Sequence, residues 1–219
     1  MFVDRNAEFG KRLRGAVRVP IIALFLMWGT KIFEFFSGDS LSNMGIWPRR
    51  IESIGGILLS PFIHGDFAHL LSNSAPVLVL GIMIFYFYPR IGSKILLSIT
   101  IVTGFWVWAL ARPAYHIGAS GIVYGLASFL FFAGALSRNN KLMALSLIVT
   151  FLYGGLFWGI FPTTPGVSWE SHLMGAFSGL LFAIYYRKQL PPPKRYSWED
   201  DDDLPDDGPW NKEYPYSRE

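Results

Sequence analysis

Long apolar runs recur along this chain and leave it few ways to fold. They cover residues 19–36, 67–88, 93–111, 120–136, 142–161 and 172–186. A helix needs about 20 apolar residues to cross a bilayer. Backbone polar groups in hydrocarbon must be satisfied within the protein, so such runs fold as helices. Charged residues make up only 16% of the 219 positions, against about a quarter in soluble domains. The expected fold class is therefore all-α, a polytopic membrane protein with six transmembrane helices. Residues 1–18 read as a polar leader, 19–187 as the membrane domain and 188–219 as a Pro- and acid-rich tail.

Six spans place both termini on one side, and the distribution of basic residues chooses it. Arg5, Lys11, Arg12, Arg14 and Arg18 precede the first run. Arg90 and Lys94 join the second to the third, Arg138 and Lys141 the fourth to the fifth, and Arg187, Lys188, Lys194 and Arg195 follow the sixth. Only Lys31, Arg49, Arg50 and Arg112 fall on the other side. Both termini are expected in the cytoplasm. The charged leader ends without a small-residue cleavage site, so it does not read as a removable signal. The same basic residues read as topology signals rather than as a nucleic-acid surface.

Between the first two runs, residues 37–63 are too polar to span and too apolar to float free. Met44, Ile46, Trp47, Ile51, Ile54, Ile57 and Leu58 predict short amphipathic pieces in the interface. In the tail, Pro191–Pro193 stiffens the exit from the membrane, and the acids Glu199–Asp203, Asp206 and Asp207 read as disordered and solvated. Without cysteine there is neither a disulfide framework nor a thiol nucleophile.

The orientation brings the starts of runs two, four and six to the outer side. Polar residues there are costly and so are functional candidates. His69 and Asn73 are four apart and share a helical face. Ser120 and Tyr124 repeat that spacing after Gly118-Ala119, and His172, Gly175 and Gly179 form a third stripe. A serine among small residues also suits plain helix packing, and Gly175-x-x-x-Gly179 lets another helix approach closely. The close approach could bring His172 to Ser120. A serine needs a base to become nucleophilic, and donors for the oxyanion. His172 can be the base, and Asn73, His69 and the Ser120 N–H can donate. Tyr124 could orient the imidazole by stacking under it. His64, His69, His116 and His172 contain no His-x-x-x-His pair, so no metal site and no cofactor is expected. His116 reads as an interfacial polar residue.

These residues resemble the rhomboid family of intramembrane serine proteases. The match is His64-x4-His69-x3-Asn73, then Gly118-Ala119-Ser120-Gly121 with Tyr124, then His172-x2-Gly175-x3-Gly179, in order and spacing. The resemblance covers residues 19–187. It implies a bacterial-type six-helix core in the inner membrane, with a long interfacial first loop, that cleaves other membrane proteins in or beside their spans. It implies Ser120 as nucleophile, His172 as general base, and His69 and Asn73 as oxyanion or substrate-backbone donors. Gly118 lies in the same substrate-facing stretch, and His64 would hold the first long loop. The family often carries Trp-Arg in that loop, where this chain has Gly55 and Gly56. Expected partners are single- or multi-span membrane-protein substrates and the lipid bilayer, with no nucleic acid; oligomeric state is left open. Residues 162–170, rich in Pro, Gly and Thr, suit a mobile lid beside run five. The alternative is a catalytically silent rhomboid-like protein that binds or escorts membrane clients.

Overall fold

The computed structural model describes residues 5–140, 143, 144, 147, 148, 151, 159–162 and 166–190. Among them the regular structure is helical, apart from an isolated β-bridge between Ile46 and His116. The helices are α1 (Arg5–Ser37), α2 (Gly56–Leu59), α3 (Phe67–Phe87), α4 (Gly92–Leu110), α5 (Ser120–Leu136) and α6 (Trp169–Tyr185). Three of them, α1, α3 and α4, are long and apolar enough to cross a membrane. At 17 residues each, α5 and α6 are shorter, about 25 Å by helical rise. Of the fifth apolar run, Met143, Ala144, Leu147, Ile148 and Phe151 are helical. The remainder of a continuous fifth span lies outside the described residues, as do residues 1–4 and the tail from 191.

Helix α1 starts well before the first apolar run. Its first turns hold Arg, Lys and Ala, which are good helix formers, and they find a partner in the end of α3. Arg12 donates from Nε to the Tyr86 carbonyl at 2.9 Å and lies 5.0 Å from the centre of the Tyr86 ring. Phe9 meets the same ring edge-on. Farther along, Gly81 of α3 faces Pro20 of α1, and a Cβ there would come within 2.7 Å of the proline ring. The small residue lets the two helices close on each other.

Asp66 caps α3, its carboxylate accepting the His69 N–H at 2.7 Å. The turn into α4 is short because the Tyr88 carbonyl accepts from both Ile91 and Gly92. Leu80, Ile84, Ile95, Ile99, Val123, Phe129, Leu130 and Ala183 form the main core, drawn from α3, α4, α5 and α6. Large apolar side chains also point outward, including Phe25, Phe36, Leu71, Leu110 and Tyr185. Such a surface suits hydrocarbon and would be a liability in water.

The connection between α1 and α3 consists of short helical turns with Met44, Ile51, Ile54 and Leu58 exposed. It is fastened at both ends. On one side Lys31 Nζ bonds the carbonyls of His64 (3.0 Å) and Gly65 (2.8 Å), while Glu34 accepts the Leu41 N–H at 2.6 Å. On the other, the Arg49 N–H reaches the Trp108 carbonyl at 2.8 Å, and Trp108 Nε1 returns a bond to the Arg50 carbonyl at 2.9 Å. A Cβ on Gly56 would strike the backbone of Gly45. The glycine at that position is thus what allows the connection to fold over itself.

Candidate active site

The site begins with two glycine pairs. A Cβ on Gly175 would overlap the carbonyl of Gly121, and one on Gly179 would overlap the carbonyl of Gly125. Backbone therefore meets backbone between α5 and α6, the most extensively packed helix pair among the described residues. Ser128 adds a bond from its hydroxyl to the Ala176 carbonyl at 2.6 Å. This contact sets the distance between the two polar residues at the ends of the pair.

There His172 Nε2 lies 2.8 Å from Ser120 Oγ. His172 Nδ1 lies 2.7 Å from the carbonyl of Gly159. A carbonyl can only accept, so in the neutral ring Nδ1 carries the proton and Nε2 presents its lone pair to the serine hydroxyl. The Tyr124 ring stacks on the imidazole, with centroids 4.2 Å apart and planes inclined by 8°. Tyr124 sits one turn after Ser120 and so stands under the same ring that the serine touches. The serine opens α5, where the first N–H groups lack intrahelical acceptors and the helix dipole favours negative charge.

A second cluster surrounds the residues before Ser120. Gly118 has φ +102°, a conformation open to glycine, and the His69 ring lies so close that a Cβ would sit 2.8 Å from it. The Gly118 N–H bonds the Ser60 carbonyl at 2.8 Å. Next to it, the Ala119 N–H donates to His64 Nε2 at 3.4 Å. His64 meets His69 edge to face at 5.0 Å. Asn73 is buried, and among the described residues its amide bonds the His69 carbonyl at 2.9 Å. The structure thus brings Ser120, His172 and Tyr124 together. His64 and His69 pack against Gly118 and Ala119, the two residues before the serine, and Asn73 lies one turn behind His69.

Burial lowers the pKa of the histidines in the connecting segments. His64 is pushed down to about 4 by burial, and the neighbouring His69 adds to the effect. A neutral His64 is what accepting the Ala119 N–H requires. Asp66 is held below the ordinary carboxylate range chiefly by the backbone N–H of His69.

His116, read from the sequence as an interfacial polar residue, is packed inside the protein. It is buried, with Nε2 3.0 Å from the Arg112 carbonyl and Nδ1 2.5 Å from Ser168 Oγ. The carbonyl fixes the tautomer, so Nε2 donates and Nδ1 accepts from Ser168, whose oxygen contacts Ser171 Oγ at 2.6 Å. Burial lowers the His116 pKa, in keeping with the neutral ring. Arg112 adds bonds to the Val167 carbonyl at 2.7 Å and an ion pair with Glu170 at 3.6 Å. The segment before Ser120 is thereby tied to the start of α6. The part of the expected lid at 163–165 lies outside the described residues.

Sequence reasoning missed Gly159, Ser168 and Ser171. A backbone carbonyl carries no side-chain signature, and two serines before a helix resemble any cap. Lys31 and Glu34 gave a weak signal as charges inside an apolar run; in the structure they clamp a loop.

The Rhomboid domain family profile matches residues 52–189. An uncharacterized protein of Mycobacterium tuberculosis is 32% identical over 184 residues, covering 79% of this chain and 77% of its own. One of Mycobacterium bovis matches to the same extent. One of Mycobacterium leprae is 31% identical over 189 residues, covering 81% of this chain and 75% of its own. Members of the matched family are generally intramembrane proteases. Together with its apolar helices, the match makes this chain an integral membrane protein and a member of the rhomboid family.

Proposed function

We propose that this protein is an intramembrane serine endopeptidase that cuts other membrane proteins in or near their spans. The observation that carries the reading is the 2.8 Å contact of Ser120 Oγ with His172 Nε2, with the opposite ring nitrogen committed to a carbonyl. Ser120 Oγ attacks the scissile carbonyl carbon while its proton passes to His172 Nε2. The oxyanion is received by the Ser120 N–H and by His69 and Asn73. The tetrahedral intermediate collapses, His172 gives the proton to the leaving nitrogen, and an acyl-enzyme remains. Water then gives its proton to His172 as it attacks the acyl carbon, and Ser120 leaves with that proton. No acidic residue is needed, because the Gly159 carbonyl and the Tyr124 ring hold the imidazole in place.

The same reading places a protease domain over residues 19–187, crossing the membrane six times with both termini in the cytoplasm. The site then opens to the outer side. The excess of basic residues on the terminal side supports that orientation. Substrates are single- or multi-span proteins whose helices unwind to expose a backbone at the cut.

The test is cleavage of a reporter membrane protein by purified chain in liposomes. Ser120→Ala and His172→Ala should each lose about 10⁴-fold or more in turnover while keeping the wild-type melting profile. Undiminished cleavage by Ser120→Ala sinks the assignment.

A further inference from the structure

Away from the polar site, a cavity of about 380 Å³ lies between α1 and α4. Its floor is Val77 and Gly81 of α3, and its roof is Pro61 and Phe62 of the first connection. The slot exists because α1 packs on α3, while α4 packs on α5 and α6. Its rim residues Leu58 and Leu97 are more than half exposed, so the slot opens sideways between the two helices. Apart from Ser93 and Thr100 its side chains are apolar, and Thr100 is already bonded to the Leu96 carbonyl.

We propose that this slot binds one acyl chain of an anionic phospholipid. Cavities walled by such side chains stay dry. A side opening on the lipid-facing surface offers hydrocarbon instead. At about 30 Å³ for each group of water or methylene size, the slot holds roughly a dozen methylenes. One turn of a transmembrane helix, about 10 Å across and 5.4 Å long, takes up roughly 420 Å³, more than the 380 Å³ of the slot. The headgroup is indicated by charge. Arg18 and Lys94 are the chain neighbours of the lining residues Val19 and Ser93, so both stand at the depth of that end of the slot, and both are exposed. Arg14 and Arg18 also line a shallow groove on the outer face of α1. Basic residues at that depth attract anionic headgroups. The far end of the slot reaches Ala119, the residue before Ser120, so a bound chain supports the start of α5 from behind.

Native mass spectrometry of the full chain, released from the membrane in mild detergent, tests the proposal. Wild type should carry one phospholipid, and when stripped it should rebind phosphatidylglycerol in preference to phosphatidylcholine. Ala23→Phe, which fills the slot, should weaken rebinding by about tenfold or more, the equivalent of two methylenes withdrawn from contact. Val77→Phe fills it from the α3 side and serves if the first variant does not fold. Arg18→Gln with Lys94→Gln should erase the preference for phosphatidylglycerol without abolishing binding. Equal binding of both lipids by wild type, or full rebinding by a folded slot-filling variant, overturns the proposal. So does loss of a dimer mass or of a bound substrate helix in place of lipid, since either gives the slot to a protein.

Discussion

Ser120 and its neighbours depend on which ring nitrogens hold protons. Among the described residues, His172 is held by the Gly159 carbonyl at Nδ1 and by the stacked Tyr124 ring, neither of them charged. Tyr124→Phe keeps the stack and should retain activity within a few-fold. Tyr124→Ala removes it and should cut turnover by about 10²-fold, the scale of losing a positioned general base; steady-state cleavage of a membrane reporter separates the two. Equal activity in all three proteins would remove Tyr124 from that role. Asn73→Ala should lower kcat by about 10² with little change in KM if the amide serves the oxyanion. His64 makes a prediction about stability. Its folded pKa is about 4, below its unfolded value, so between pH 4 and 6.5 the unfolded chain binds the extra proton. The neutral ring's stability is fully present above pH 6.5 and is lost as the pH falls toward 4, up to about 3 kcal/mol. His64→Gln keeps an acceptor for Ala119 and does not titrate. Its melting temperature should fall less than that of wild type on going from pH 7 to 4.5. Some slope should remain, because buried His116 shifts in the same direction.

At the scale of elements, the contact of α5 with α6 is the part of the fold that the site cannot spare. Gly175→Ala and Gly179→Ala each drive a methyl into a backbone carbonyl, and no flexible side chain can move aside. The helices must separate. A loss of about 1–3 kcal/mol is expected, a drop in melting temperature of about 2–4 °C for each kcal/mol, with cleavage falling as Ser120 and His172 part. Gly29→Ala, where nothing lies within 4 Å, is the control and should leave both properties intact. This contact was legible in the sequence because small residues at a spacing of four leave a recognisable stripe. Helix α5 was equally legible, since Ser120 opens it and polar residues resume after Leu136. The start of α1 was not. Its polar first turns are held by Arg12 and Phe9 against Tyr86, a contact between residues more than seventy positions apart. The same limit hid the pairing of His116 with Ser168 and of His172 with Gly159, which join side chains to partners that local pattern cannot name.

For the whole molecule the open question is which face the site presents, and the chain offers a direct way to ask it. It has no cysteine, so any single cysteine placed in it is the sole thiol. Ser42 lies in the connection after α1, at the end of the molecule that carries His64, Gly118 and Ser120. Asn140 lies after α5, at the opposite end of that helix, and is exposed. If the basic residues fix the termini in the cytoplasm, Ser42→Cys should react with a membrane-impermeant maleimide in intact cells. Asn140→Cys should react only after permeabilisation. The opposite pattern would turn the site toward the cytoplasm. It would also move Arg18 and Lys94 to the outer leaflet, where the headgroup of the slot's lipid would then have to lie. The labelling result therefore decides the leaflet from which the slot is filled as well as the side on which substrates are cut.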